Sequence, residues 1–367
     1  MALPVRIGLC MIVKNEAGII ARCLASVRPL ISTWVIVDTG STDGTQDVIR
    51  RCLADLPGEL HERPWRNFGE NRSEAMQLAQ GKADYTLVMD ADDELVIPPG
   101  WQLPHLDYDA YHLLLTRGGH SMFRAQLFRS ALPWRYEGVL HEYATCDREV
   151  RQAKMSGLQI LMHPDSARSS DPDKYRKDAA LLADALARAP GNTRYAFYLA
   201  QSYRDAGMHD EAIAAYQTRA SMGGAAEEVW YSLFQVGQIG EKAGRASDEV
   251  IAAYLAAFDN RPTRAEAPCA LARHLRMQGR HASAYVFARA AAELPRPKDR
   301  LFIDEVLYTV RARDELVMAA HATGRHEEAV RLAGALLASD KLPAPARTRI
   351  EQVLAQSQRA LGGASCT

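Results

Sequence analysis

Asp90, Asp92 and Asp93 crowd together directly after the short apolar run Tyr85-Thr-Leu-Val-Met89. Carboxylates bunched at one point are hard oxygen donors, suited to Mg2+ or Mn2+ held together with phosphate. An ordinary acidic turn has the same composition, and spacing alone does not choose between the two. Asp38 poses a similar question at the end of Thr33–Val37, ahead of Thr39-Gly-Ser-Thr-Asp-Gly-Thr45. It can accept from a ribose or a base edge, or cap the turn it opens. Farther on, Gly138-Val-Leu-His141-Glu142 sets an imidazole beside a carboxylate, and His163 ends another apolar run. These residues suit a base or part of a metal site, and equally a satisfied structural role. Arg72 reads either as a helix-surface charge or as a phosphate clamp.

The elements that must position these groups follow from periodicity. Arg6–Val13, Thr33–Val37 and Tyr85–Met89 are short, largely apolar and without a helical stripe, so they are predicted strands, with a third strand of the order placed near Glu59–Arg63. Ile19–Val27, Gln46–Leu56 and Asn71–Ala79 between them carry helical periodicity. The order βαβαβαβ predicts right-handed crossovers and a parallel sheet. Asp38 and Asp90 then reach the same sheet edge, where open α/β sheets bind ligands. No GxGxxG and no GxxxxGK[ST] follows either strand, which disfavours a dinucleotide cofactor and a P-loop. Ala110–Leu115, Phe123–Arg129 and Gly157–His163 read as strands without long helices between them, so the second part of the sheet is expected to be mixed.

The chain has 367 residues, of which 47% are hydrophobic and 24% charged, enough for two domains with real cores. A net charge of −1 gives no general reason to bind nucleic acid or an anionic membrane. Met1-Ala-Leu-Pro-Val-Arg-Ile7 runs straight into a strand pattern, and no apolar stretch is long enough to span a bilayer. The expectation is a soluble cytoplasmic protein. Cys10, Cys23, Cys52, Cys146, Cys269 and Cys366 show no CxxC or Cys/His zinc spacing, and are expected to be core thiols.

The second half changes character. Pro164-Asp-Ser-Ala-Arg-Ser-Ser-Asp-Pro172 is a polar joint, followed by helical periodicity over Lys174–Ala187. Beyond it, Gly207-Met-His-Asp-Glu-Ala212, Gly279-Arg-His-Ala-Ser-Ala284 and Gly324-Arg-His-Glu-Glu-Ala329 repeat one turn-then-helix pattern, with a weaker copy at Gly244–Val250. With Leu199, Ala200, Tyr203 and Tyr216 around the first copy, the pattern is that of tetratricopeptide hairpins, about four units in all. The expected organisation is an α/β domain over 1–165, a linker and connecting helix over 166–190, and an all-α repeat array over 191–367. Stacked arrays of this kind present curved surfaces for peptides or subunits, so the array is expected to hold an acceptor, form a homodimer or buttress the first domain.

Four segments occur in a telling order: Cys10-Met-Ile-Val-Lys-Asn-Glu16, Val37-Asp-Thr-Gly-Ser-Thr-Asp-Gly-Thr45, Phe68-Gly-Glu-Asn-Arg72 and Met89-Asp-Ala-Asp-Asp93. Together, over about residues 5–165, they resemble the family 2 glycosyltransferases with the Rossmann-like GT-A fold. The likeness is to the bacterial branch in which tetratricopeptide-like helices follow the transferase domain. The resemblance implies an inverting transferase that uses a nucleotide-diphospho-sugar, usually a UDP-sugar, with Mn2+ or Mg2+. Asp38 matches the acid that reads the nucleoside, and Val13, Lys14, Asn15 and Glu16 would border the base. Asp90-Ala91-Asp92 matches the DxD motif, with Asp90 facing the ribose and Asp92 ligating the metal. Arg72 matches the Arg of the family's Ala-Arg-Asn segment, although its neighbours here are Asn71 and Ser73. Gly138-Val-Leu-His141-Glu142 resembles the branch's Gly-x-x-His-Glu, and His163 the His that closes its catalytic domain, grouped here with the metal residues Asp90 and Asp92.

Inverting transfer needs a base for the acceptor hydroxyl. Glu142 is the first candidate, His141 the second and Asp93 the third. Acceptors in view are a protein or peptide side chain or a glycan. The alternative is a non-catalytic scaffold that binds a nucleotide-sugar and a protein partner. A nucleotidyltransferase would share the fold, but Val13-Lys-Asn-Glu-Ala-Gly18 is not its Gly-rich basic loop.

Overall fold

A computed structural model describes residues 5–340 and 342–364. Cys366 and the first residues, Met1-Ala-Leu-Pro4, lie outside the described residues. The chain forms two compact units that divide between Ala185 and Leu186.

The first unit opens with β1 (Ile7–Val13), α1 (Ile20–Val27), β2 (Thr33–Asp38), α2 (Thr45–Cys52), β3 (Gly58–Glu62), α3 (Phe68–Ala79) and β4 (Tyr85–Val88). It continues through β5 (Asp93–Val96), β6 (Ala110–Arg117), β7 (His120–Arg129), β8 (Arg135–Glu137), β9 (Tyr143–Thr145) and β10 (Gln152–Met162). One sheet runs β3-β2-β1-β4-β7-β6-β10-β5, and β8-β9 form a separate hairpin. β1 pairs in parallel with both β2 and β4, and β2 with β3, whereas β7 is antiparallel to β4 and β6. The second part of the sheet is therefore mixed, as the missing helices implied.

β1 is apolar almost throughout because both of its faces are covered. Leu9, Met11, Ile36 and Leu87 pack with Ile20, Leu24 and Ile49 of α1 and α2. Cys10, Val35, Val37 and Val88 point the other way, against Ala75, Met76 and Ala79 of α3. Period-two strands feeding helices on opposite faces thus fix which residues end at the sheet's carboxyl edge.

Three elements depart from expectation. α3 begins at Phe68 rather than Asn71, because Asn67 caps it: its Oδ1 accepts the Glu70 amide at 2.9 Å while Glu70 Oε1 accepts the Asn67 amide group at 2.6 Å. Asp93 does not lie in a loop but starts β5, an edge strand antiparallel to β10. The short β8-β9 hairpin, unforeseen, brackets Gly138–Glu142.

α4 (Lys174–Arg188) contains the division between the units. The second unit pairs α5 (Thr193–Asp205) with α6 (His209–Ser221), α7 (Ala226–Lys242) with α8 (Ser247–Asn260), α9 (Glu266–Met277) with α10 (His281–Glu293) and α11 (Ala312–Ala322) with α12 (His326–Leu337), before α13 (Ala344–Ala364). A π-helical turn, Leu307–Arg311, leads into α11. Each hairpin turns on a glycine with φ between 71° and 74°: Gly207, Gly244, Gly279 and Gly324. The amide after each glycine reaches back to the carbonyl of Tyr203, Gly240, Leu275 or Ala320, the Schellman closure that needs a left-handed residue. Ala212, Ala284 and Ala329 are fully buried, so the paired helices approach closely. Deep in the array Arg264 is fully buried, held by Glu266 and Asp299, with its guanidinium 3.8 Å from the centre of the Trp230 ring.

Candidate active site

Chain order β1, β2, β3 runs one way from the centre of the sheet, and β4 then lands on the other side of β1. The carboxyl ends of β1 and β4 therefore flank a topological switch point, the place where open α/β sheets hold ligands. Val13 ends β1 in the core, Lys14 is exposed, and Asn15 takes φ 57°. The polar loop after β2 exists to hold this turn. Ser41 Oγ accepts the Asn15 amide, Thr45 Oγ1 the Glu16 amide, both at 2.8 Å, and Asp43 the Ala17 amide at 2.9 Å. Asn15 Oδ1 returns a bond from the Thr42 amide.

Asp38 caps its turn with one carboxylate oxygen and leaves the other unpaired. Its Oδ1 caps the turn, accepting the Gly40 amide at 2.8 Å and the Ser41 amide at 2.7 Å. Its Oδ2 is buried without a hydrogen-bond partner, on a residue with no exposed surface. A buried acceptor left open is costly, and a ligand N–H or O–H would satisfy it.

Past β4, Asp90 is gripped by Arg72 from α3, which also donates from Nε to Glu142 Oε1 at 2.6 Å. Arg72, 11% exposed, thus ties the acid after β4 to the acid of the β8-β9 loop. Burial alone would lower the pKa of Arg72, but Asp90 and Glu142 raise it. Burial works against the Asp90 carboxylate, and the charges of Arg72 and Arg124 outweigh it and hold it below the usual range. The approach of α3 to that loop depends on Gly69, where an added Cβ would stand 2.2 Å from the Gly138 carbonyl oxygen. Gly138 itself has φ 107°, and His141, exposed, has φ 53°.

Ala91 is buried and Asp92 half-buried, its carboxyl raised first by burial and then by Asp90, with Ser166 bonding it. Asp93 is enclosed at 1% exposure, and its Oδ2 accepts the Asp90 amide at 3.2 Å. Burial, then the charge of Asp90, pushes the Asp93 carboxyl up to about 7. Glu16 is also raised to about 7, mainly by burial, with Asp92 among the repelling charges.

The expected metal set does not assemble as one group. His163 Nε2 contacts Glu94 Oε2 at 2.9 Å, while only its backbone amide meets this loop, bonding the Asp92 carbonyl at 3.1 Å. β5 sets this geometry, since its pairing with β10 turns the side chains of Glu94 and His163 toward each other. Among the described residues no three His, Cys, Asp or Glu side chains are placed to hold a metal. The remaining donors nonetheless suit a hard cation. Burial and mutual repulsion leave Glu16, Asp92 and Asp93 undercompensated, the condition such an ion relieves, and Mg2+ is commonly held by one or two carboxylates plus substrate phosphates.

Three participants were not foreseen. Arg124 on β7, 43% exposed, lies 3.6 Å from Asp90 Oδ2. Arg22 on α1 pairs with Asp165 at 2.7 Å and reaches the Asp92 carbonyl. The ring of Tyr136 lies beneath the Arg72 guanidinium, 5.9 Å away. Strand order and helix packing bring in Arg22 and Arg124, which no motif surrounds, whereas Tyr136 stands two residues ahead of the Gly138–Glu142 segment.

The family described as Glycosyl transferase family 2 matches residues 9–107. A TPR repeat-containing protein of Synechococcus elongatus is 34% identical over 146 residues, 37% of this chain and 35% of its own length. An uncharacterized glycosyltransferase of Rickettsia felis is 33% identical over 90 residues, 24% of this chain and 30% of its own. The chain thus spans about a third of the curated relatives it matches. A crystal structure of MamA is similar over 46% of this chain and 88% of its own at 18% identity, with a TM-score of 0.35 that bears no weight beside the helix pairs themselves. Among the described residues no helix is long and apolar enough to cross a membrane. Residues 9–107 belong to the family 2 glycosyl transferases, and a tetratricopeptide-like helical array follows them in the same chain.

Proposed function

We propose that the chain is a metal-dependent, inverting glycosyltransferase that takes its sugar from a nucleotide-diphospho-sugar, a UDP-sugar foremost, with the helical array serving a polypeptide acceptor. The observation that carries this reading is the open Oδ2 of buried Asp38, set across the β1-β4 switch point from Asp90. A nucleoside placed there offers a base N–H to Asp38 beside the Lys14-Asn15-Glu16 turn, and ribose hydroxyls to Asp90.

Asp92 would hold the divalent ion, which when bound supplies Lewis-acid stabilisation of the departing diphosphate. Arg72 keeps Asp90 ionised and orients Glu142, which remains the proposed base for the acceptor hydroxyl, with exposed His141 second. Asp93 is better suited to fixing the Asp90 backbone, because its Oδ2 already accepts the Asp90 amide. His163 then steadies the loop through Glu94 rather than serving as a ligand.

A panel of UDP- and GDP-sugars, scored by Mn2+-dependent hydrolysis and by thermal stabilisation, tests the proposal. A UDP-sugar should both stabilise the wild type and turn over, and Glu142→Gln should lose turnover while keeping donor binding. Donor binding without hydrolysis or transfer of any sugar would refute the enzyme.

A further inference from the structure

Residues 294–306 join α10 to the π-helical turn, where 222–225 and 261–265 suffice for the links before α7 and α9. The extra length does not loop into solvent. It carries the chain back past α9 to α7 and α5, where the Phe302 ring stacks on Tyr231 with centroids 3.9 Å apart and planes at 22°, and meets Phe197 at 5.7 Å. Phe302 thus packs against the apolar cores of two hairpins at once.

Backbone groups fix its neighbours. Glu227, in the first turn of α7, accepts the Arg300 amide at 3.1 Å and the Leu301 amide at 2.6 Å through one carboxylate oxygen. Fully buried Arg264 donates to the carbonyl oxygens of Leu301 at 3.1 Å and Phe302 at 2.6 Å. The ends are anchored separately, Asp299 by Arg261 and Arg264, and Asp304 by accepting the Leu307 amide that opens the π-helical turn. One aromatic anchor, one acid for two amides and one guanidinium for two carbonyls are contacts of the kind an interface makes with a separate segment.

Two features mark residues 300–303 as held down from outside rather than folded in place. Phe302 takes φ 59°, a left-handed conformation that a bulky residue keeps only where its surroundings impose it. Leu301 beside it stays exposed, and so do the bonds to Glu227. A segment with few buried apolar contacts and exposed backbone hydrogen bonds opens ahead of the helices beneath it. We propose that residues 300–303 form a releasable strap, an occupant supplied by the chain itself that keeps the aromatic surface of Phe197 and Tyr231 closed. Release lets Phe302 leave its left-handed conformation and uncovers both rings, while Asp299 stays paired and Arg264 keeps Glu266. Any ligand of that surface must first displace the strap. Nothing in this device involves the nucleotide-sugar site, so it stands or falls apart from the transferase.

Amide hydrogen exchange of the full-length chain reads the strap directly. In wild type the Arg300 and Leu301 amides should be protected, yet exchange at least about tenfold faster than the slowest amides of α7 and α9, as a local opening does. Glu227→Ala removes a charged acceptor and Phe302→Ala the aromatic anchor, and neither touches Asp299 or Arg264. Each should speed strap exchange by about tenfold, the loss of a charge-assisted hydrogen bond or of an aromatic contact. Glu227→Ala should do so with the α9 amides within about threefold of wild type. Wild-type strap amides no faster than those helices would overturn the proposal, because the segment would then be a fixed part of the core. So would exchange as fast as in an unstructured peptide, because nothing would be held closed, or a Glu227→Ala variant that speeds strap and α9 alike. Protection that grows with protein concentration would also overturn it, by giving the contact to a second copy.

Discussion

Arg72→Met keeps an apolar stem and removes the charge that joins Asp90 to Glu142. Glu142 and Arg72 have side chains only 12% and 11% exposed, so the stranded Glu142 is a nearly buried, uncompensated carboxylate. Breaking such a pair from one side costs about 3–5 kcal/mol. Asp90 is 28% exposed and retains Arg124 at 3.6 Å, so its share is the smaller, and the lower end, about 3 kcal/mol, applies. For a unit of this size that lowers the melting temperature by about 6–12 °C. Trp34, Trp65, Trp101 and Trp134 belong to the first unit and Trp230 to the second, so tryptophan fluorescence reads mainly the first while far-ultraviolet dichroism follows the helices. Adding Glu142→Gln removes the stranded charge and should restore about 1–2 kcal/mol in the double-mutant cycle. A single variant melting within about 2 °C of wild type, or a double variant no better than the single, would refute the buried-bridge account of this site.

The other expectations are independent of that bridge. Gly69→Ala drives a methyl into the Gly138 carbonyl and should cost about 1–3 kcal/mol while cutting turnover more than donor affinity, because it moves Glu142 away; an unchanged kcat would contradict the close approach. Asp92→Ala should abolish metal-dependent donor turnover with the fold intact by circular dichroism, and EDTA should do the same to wild type; full activity in EDTA would remove the metal from the mechanism. In the helical unit the Arg261 hydrogen bond, working against burial, lowers the Asp299 pKa with help from Arg264. A depressed folded pKa contributes stability above the unfolded value of about 3.9 that is lost as pH falls toward the folded one. Urea midpoints read by dichroism should therefore hold from neutral pH to about 5 and decline below about 4, and Asp299→Asn should flatten the acid limb.

Much of the first unit was legible because its strands are buried on both faces and written as apolar runs, and because its helices repeat with a 3.6 period. β1, β2 and β4 were readable in this way, whereas β3, polar and exposed at the sheet edge, followed from its place in the βα alternation. The repeat array was readable because a Schellman turn admits little but glycine, and close helix contact little but alanine. Asp38 and Asp90 could be placed at one edge from strand order alone. The start of α3 was misjudged because its capping box, Asn67 with Glu70 three residues on, lies ahead of the stretch that carries the helical periodicity. β5 was missed because Asp93-Glu-Leu-Val96 is too short and too acidic to read as a strand until β10 pairs with it.

Sequence by itself determined most of the helices and the first strands, and placed Asp38 and Asp90 at the ends of theirs, since both follow from local periodicity and turn chemistry. Tertiary structure alone decided what Asp90, Glu142 and His163 meet. Arg72 lies eighteen residues from Asp90 and seventy from Glu142, Arg124 arrives from an antiparallel strand, and His163 is taken by Glu94 through the β5-β10 pairing. Distance along the chain says nothing of distance across a sheet. The charge state and partner of a buried group are set by neighbours that only packing brings within reach.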